Sequence, residues 1–374
     1  MNIGLARVTI GNFVSTALGA IFWFILASVL NVDNYGEVSY LLSLGYFFAP
    51  IALLGMAPSL MTYLPKGDLQ FASQARTLVL ISSTAIGIGL VFVDPLLSLL
   101  LISYAFYHMS ITELLGLRKY KEYMILTISS NASRIALSIL LFFALGIDGI
   151  IIGYITSQFA FSFRYVASLR HLLLKFDIIR LRLRFLGINY AASVAQNATV
   201  YLDKIIVGYF FGFLTLGNYQ LGYQIFLGLS LLPVTLYQYL LPYESLGEIK
   251  RRIKLLGITT SIIIAVAMYC ILPLIITTLF PQFEGAIEFS RILTLTLVPL
   301  TVVQILTAMF IGKGTNMPSL IGTILYAVVL VVLLIMLGNT FQIVGLALAV
   351  LFATGTQACF LLVESRRYRL KSSQ

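Results

Sequence analysis

Few residues in this chain can do chemistry, and the most unusual is Arg134, which sits in the middle of the apolar run from Tyr123 to Leu145. On a 3.6-residue helix Thr127, Asn131, Arg134 and Ser138 share one narrow arc, while Ile125, Leu126, Ala136 and Leu137 fall on other faces. An arginine near the centre of a bilayer costs about 2.5 to 3.5 kcal/mol on insertion scales, so it must look toward other helices or water. Two readings follow. Arg134 is either a cation that meets an anionic, hydrogen-bonding ligand, with Asn131 beside it, or half of a structural pair buried in the bundle.

A second charged position, Asp203 and Lys204, lies in the run from 187 to 211. Around that helix Ser193, Asn197 and Lys204 cluster, Gln196 and Asp203 flank them, and Ala195, Ala198, Leu202 and Ile205 form the reverse face. Read functionally, Lys204 draws an anionic headgroup and Asp203 orients it or exchanges with a coupling proton or sodium ion. Read structurally, the two charges neutralise one another or neighbouring helices. Gln220, Gln224 and Gln238 align on the next span, as do Asn12, Thr16, Gly19 and Trp23 on the first and Ser39, Ser43 and Tyr46 on the second. Such residues bind hydrogen-bonding ligands, and they also pack helices. Glu113 and His108 are a candidate proton site or ordinary satisfied bundle residues, and the spacing of Glu288 and Arg291 predicts a local i,i+3 pair.

No nucleophile elbow, phosphate loop or zinc spacing is present. Cys270 and Cys359 stand alone in apolar runs, so neither a disulfide framework nor a metal site is expected, and the residues call for no cofactor. Outer turns of three to eight residues leave no room for the active-site loops of a membrane glycosyltransferase. The sequence therefore favours transport over catalysis and is not expected to be an enzyme.

These residues have to be positioned by membrane helices. Of 374 residues 60% are hydrophobic and 10% charged, far from the quarter charged of a soluble domain. Hydropathy predicts spans at about 10–30, 38–63, 77–92, 96–115, 123–145, 150–166, 187–211, 217–241, 255–280, 289–311, 318–337 and 343–362. The first lacks a small-residue cleavage site and reads as a retained span. With the N-terminus inside, 21 of the 24 basic residues fall on the inner side, among them Arg7, Lys66, Arg118, Lys119, Lys121, Lys250 to Lys254, Lys313 and the tail Arg366, Arg367, Arg369 and Lys371. The outer turns hold only acidic charges, Asp33, Glu37, Asp94, Asp148, Glu284 and Glu288. This bias predicts a multi-pass protein with both termini cytoplasmic. It also assigns the net charge of +10 to topology and not to nucleic acid.

The longest polar connection, with Arg170, His171, Lys175, Arg180, Arg182 and Arg184, predicts a division into a lobe at 1–166, a basic linker at 167–186, a second lobe at 187–362 and a basic tail at 363–374. Ser245 and Glu248 have capping-box spacing ahead of Lys250 to Lys254, which predicts a helix lying on anionic headgroups or a solvated basic loop. The two halves also read as a repeat. Gly116 and Gly149 are 33 residues apart, as are Gly312 and Gly345, and Tyr35-Gly36 and Leu216-Gly217 open matching spans that contain interior prolines, Pro50 and Pro58 in one and Pro233 in the other. In this register Thr127 matches Thr323, but Asn131 matches Ala327 and Arg134 matches Leu330, so the charge belongs to one copy only. The expected architecture is an all-α polytopic membrane protein of twelve transmembrane helices, in two pseudo-symmetric six-helix lobes around a central cavity.

Asn34-Tyr35-Gly36-Glu37, the stretch from Asp203 to Gly212 followed by Leu216-Gly217-Asn218-Tyr219, Gly312-Lys313-Gly314 and Ile343-Val344-Gly345 resemble polysaccharide flippases of the O-antigen exporter type. Those flippases belong to the multidrug, oligosaccharidyl-lipid and polysaccharide exporter superfamily, and the resemblance runs from about Gly11 to Leu362. It implies movement of a polyprenyl-pyrophosphate-linked oligosaccharide from the inner to the outer leaflet by alternating access, for polysaccharide or glycoprotein assembly at the plasma membrane. Arg134 and Lys204 would then meet phosphate, and Asn131, Asn197, Gln220 and Gln224 would meet sugar, with Asp203 and Glu113 as candidate ion-coupling groups. The partners implied are the lipid-linked oligosaccharide, membrane lipids, and glycosyltransferases or a polymerase of the same pathway. Members of the family commonly carry a basic residue in the first span; here residues 10–30 have none. The alternatives are a cation-coupled multidrug exporter, which would want acids facing an apolar cavity, and a non-transporting scaffold of a glycan-assembly complex.

Overall fold

The computed structural model describes residues 3–248 and 250–372, and only the backbone of Leu5, His171 and residues 369–372. The side chains of His171, Arg369 and Lys371, counted above among the basic connections, lie outside the described residues. Among the described residues there is no strand, and nine helices are long and apolar enough to cross a membrane. Two of these are double: Leu183–Ser245 breaks at Gly212 (φ 81°, ψ 170°) and Met317–Tyr368 breaks at Gln342 (φ 50°, ψ −130°). With Ile147–Ala160, at 14 residues too short for the same test, the spans number twelve, matching the hydropathy reading. The protein is thus an all-α polytopic membrane protein.

The chain divides into two compact units, one of Met1–Phe22 with Tyr40–Leu202 and the other of Trp23–Ser39 with Asp203–Gln374. The first has a core of Met56, Leu60, Phe71, Val79, Met109 and Tyr165, and this core also takes in Ile179 and Leu186 from the basic connection. That connection is docked on its unit by backbone donors. Leu173 N–H donates to Thr77 Oγ1 and Ile179 N–H to Gln74 Oε1, both at 3.2 Å. Arg182 pairs with Asp68 at 2.6 Å and lies 3.8 Å over the ring of Tyr63.

Close backbone packing displays the internal repeat. A Cβ at Gly149 would strike the carbonyl of Leu141, and one at Gly345 would strike that of Leu337, at the same offset of eight residues. Gly146 and Gln342, equivalent in the same register, share an unusual backbone, φ 65°, ψ −140° and φ 50°, ψ −130°. Glycine adopts that conformation freely, whereas glutamine is strained in it. Inside the second unit the openings of the second and eighth spans cross reciprocally. A Cβ on Gly36 would meet Phe213 O, and one on Gly217 would meet Val32 O, four residues before the opposing glycine in each case.

The predicted proline bend is pronounced in the first copy, where the second span breaks at Leu54 and Gly55 (φ 49° and 70°); in the second copy the eighth span is only interrupted at Ser230, three residues before Pro233, and Ser230 keeps helical dihedrals (φ −68°, ψ −10°). The capping-box reading needs correction. Ser245 ends a helix, with its hydroxyl on Pro242 O, and Glu248 pairs with Lys250 at 2.8 Å. Arg251, Arg252 and Lys254 instead open the ninth span, Arg251–Leu279. Pro242, one turn earlier, and Gly247 at φ 78° punctuate the chain where the capping box would have begun a helix.

Candidate functional site

The fifth span, Tyr120–Leu145, presents the polar arc that its spacing predicts. Thr127, Asn131 and Ser138 are buried, while Ile125, Leu140 and Phe143 are exposed on the opposite side. Along the arc Thr127 donates to Tyr123 O at 2.9 Å, Asn131 Nδ2 to Thr127 O at 2.8 Å, and Ser138 to Ile150 O at 3.0 Å. The equivalent Thr323 makes the same bond, to Ser319 O at 3.0 Å, but Leu330 stands buried where Arg134 would be.

Arg134 is half-buried and donates to Asn131 Oδ1. Among the described residues no carboxylate lies within ion-pair distance of it. Its guanidinium lies 4.8 Å from the ring centroid of Tyr154, where the π face attracts a cation. Tyr46, Tyr107 and Tyr201 complete the electrostatic surroundings of the same group. These tyrosines come from the second, fourth, sixth and seventh spans, and Tyr46 packs on those of the sixth and seventh and on Tyr104 of the fourth. Tyr46 is 4.8 Å from Tyr104, 5.9 Å from Tyr201 and 6.4 Å from Tyr154. Gln158 orients Tyr46 by donating to its hydroxyl at 2.7 Å while accepting from Ser103 at 2.8 Å, and Tyr107 bonds Ser130 at 2.8 Å. The hydroxyl of Tyr46 therefore keeps its own proton for another acceptor.

Tyr104 and Tyr201 also line a cavity of about 410 Å³, together with Pro50, His108, Ser193 and Asn197. This size falls in the range of small-molecule sites. The bend of the second span shapes its wall. Pro50 has no N–H to give Tyr46 O, and Ile51 N–H turns to Phe48 O at 3.1 Å and leaves Phe47 O unpaired within the helix. Asn197 Nδ2 fills the gap, 2.7 Å from Tyr46 O and 3.3 Å from Phe47 O. The amide read from sequence as a ligand contact thus holds the backbone that carries Tyr46. Tyr104, Tyr107, Tyr154, Tyr201 and Gln158 were missed by the sequence reading. Their signal was a hydroxyl or amide in the middle of a span, away from the interfacial belts where tyrosine is common.

The remaining sequence candidates separate from this cluster. Glu113, 3% exposed, pairs with Arg76 at 2.6 Å in the first unit. In the second unit Lys204 is 6% exposed, 3.2 Å from both carboxylate oxygens of Asp203, and 4.3 Å from the centroid of Tyr223. Asp203 also accepts from the hydroxyl of Tyr219 at 2.6 Å. Gln220 is buried there and its Oε1 has no hydrogen-bond partner among the described residues, while Gln224 is half-buried. Arg291 and Glu288 make the expected pair at 3.4 Å. Arg134 is therefore distinguished from Arg76, Lys204 and Arg291, each of which has a carboxylate. An arginine in that position offers a planar fork of donors to a phosphate or carboxylate, in a setting of ring faces and hydroxyls.

No family model matches the chain, and no curated protein sequence matches it. Solved structures do. The chain is similar to the lipid II flippase MurJ in an inward closed conformation, at TM-score 0.79 and 15% identity, over 96% of this chain and 87% of that one. It is similar to an inward-facing multidrug resistance MATE family transporter of the MOP superfamily, at TM-score 0.72 and 16% identity, over 99% of both chains. A MOP superfamily transporter from Pyrococcus furiosus, described as having a binding pocket of reverse polarity, aligns at TM-score 0.57 and 15% identity, over 97% and 94% of the two chains. The chain accordingly shares the fold of these solved transporters, among them a lipid II flippase and a multidrug resistance transporter.

Proposed function

We propose that the protein is a flippase that moves a polyprenyl-phosphate- or pyrophosphate-linked oligosaccharide from the inner to the outer leaflet by alternating access. The observation that carries this reading is Arg134, a cation at membrane depth with no carboxylate partner among the described residues, set against tyrosine faces, in a cluster whose Tyr104 and Tyr201 line a cavity with both apolar walls and polar groups, Ser193, Gln196 and Asn197 among them. Phosphate supplies the missing anion, and sugars supply the hydroxyls and the apolar ring faces that tyrosines take. A cation-coupled drug exporter would prefer acids facing its cavity, and the interior acid of the first unit, Glu113, is engaged by Arg76. In this proposal both termini face the cytoplasm, as the basic bias supports. Two moving lobes, expected from the sequence at 1–166 and 187–362 and here taken as the two compact units, carry the motion, and the polyprenyl tail stays in the bilayer while the headgroup crosses.

The test is leaflet-to-leaflet movement of a labelled lipid-linked oligosaccharide in proteoliposomes. Hydrogen bonds to a charged group are worth about 1.5 to 3 kcal/mol. Folded Arg134→Ala should therefore lose about ten- to a hundredfold in substrate affinity, with Arg134→Lys intermediate because it keeps charge without the fork. Normal flipping by Arg134→Ala would reject the assignment. Extrusion of cationic drugs without flipping would favour the exporter.

A further inference from the structure

In the second unit the eighth and ninth spans leave an apolar groove of about 550 Å³ between them, walled by Leu232, Thr235, Leu236 and Tyr239 on one helix and by Leu256 and Gly257 on the other. From Leu231 to Tyr239 the groove follows about 12 Å of helix. That is most of the ~15 Å depth of one leaflet's hydrocarbon. Leu231, Thr235, Tyr239 and Leu256 are exposed, so the groove opens away from the core of its unit.

Charge marks one end of it. Arg251 and Arg252 begin the ninth span, both exposed, and neither is in an ion pair among the described residues. Their neighbours are spoken for: Lys250 binds Glu248 at 2.8 Å and Lys254 binds Glu244 at 2.5 Å. The helix has no side-chain cap, so the positive end of its dipole adds to the two guanidiniums. Tyr239 and Tyr243 pack at 5.1 Å, and Lys250 lies 4.5 Å over Tyr243, an aromatic and basic pairing typical of the membrane–water boundary.

We infer that this groove binds an acidic glycerophospholipid, its phosphate held by Arg251 and Arg252 and one acyl chain lying along Thr235 and Gly257. The two parts fit that ligand together. A soluble anion would leave the groove unused, and a neutral lipid would leave the arginines unused. A polyprenyl chain outruns a groove one leaflet deep. The basic stretch, read from the sequence as a helix on headgroups or a solvated loop, thus meets lipid from a different position, the mouth of a transmembrane groove.

Native mass spectrometry of the purified full-length protein tests this, with phosphatidylglycerol and phosphatidylcholine of identical acyl chains supplied at equal concentration. Each cation near a membrane surface is worth about a factor of five for an acidic lipid. The wild type should retain phosphatidylglycerol preferentially, and the double variant Arg251→Gln/Arg252→Gln should lose about five- to thirtyfold of that preference. Thr235→Phe, at an exposed groove position outside the helix core, should lower retention of both lipids. Arg366→Gln, an exposed basic control in the same unit, should leave the preference unchanged. Equal retention of the two lipids by the wild type would overturn the proposal. So would an Arg366→Gln effect as large as that of the double variant, unchanged retention by Thr235→Phe, or displacement of phosphatidylglycerol by a polyprenyl phosphate at equal concentration.

Discussion

Asn197 tests whether a cavity-facing amide serves the ligand or the fold. Its Nδ2 sits 2.7 Å from Tyr46 O and 3.3 Å from Phe47 O, the two carbonyls that the proline at position 50 deprives of helical donors. Asn197→Ala should strand one well-formed hydrogen bond's worth of backbone, because the longer contact adds little, and a buried carbonyl without a donor costs about 1 to 3 kcal/mol. Pro50→Ala returns an N–H to Tyr46 O, so the same asparagine substitution should cost much less in that background. The expected coupling between the two positions is about 1 to 2 kcal/mol, within the range for residues that share a partner. Equilibrium unfolding of the four proteins in mixed micelles measures it, with transport assayed in parallel. Equal losses in both backgrounds would refute the argument. So would an Asn197→Ala protein of wild-type stability that no longer transports, since the amide would then belong to the substrate.

Three further outcomes follow from the packing. Gln342→Gly should stabilise the protein by about 1 to 3 kcal/mol in the same unfolding assay, because it relieves a side chain at φ 50°, ψ −130° where the equivalent position is Gly146; destabilisation would show that the glutamine side chain outweighs its backbone. Lys204→Ala should cost about 3 to 5 kcal/mol by leaving Asp203 buried and uncompensated, whereas Asp203→Asn/Lys204→Met should cost far less; a stable single variant with impaired transport would return Lys204 to the substrate. Gly217→Ala should destabilise by about 1 to 3 kcal/mol through overlap with Val32 O, read as a lowered thermal midpoint, and an unchanged midpoint would mean that the crossing yields easily.

The twelve spans, the bend of the second span near its prolines, the internal repeat and the polar arc through Arg134 were all legible in the sequence. Each depends on hydropathy or period along one helix, and the bilayer enforces both locally: apolar length decides a span, and a 3.6-residue period decides a face. The repeat was legible because glycines are required where one backbone touches another, and that requirement recurs at the same offset in both copies. What the sequence could not determine was which polar groups meet. Asp203 and Lys204 are adjacent in the chain, yet neighbouring positions on a helix point in different directions. Only the tertiary structure turns both inward, onto Tyr219 and Tyr223. Arg76 finds Glu113 across 37 positions, and Asn197 is drawn to carbonyls some 150 positions earlier. Arg134 has tyrosines from four other spans around it. Helix packing chooses partners by geometry between segments, and no local pattern encodes that choice; it is what gives Arg76 and Lys204 their carboxylates and sets Arg134 against rings and hydroxyls.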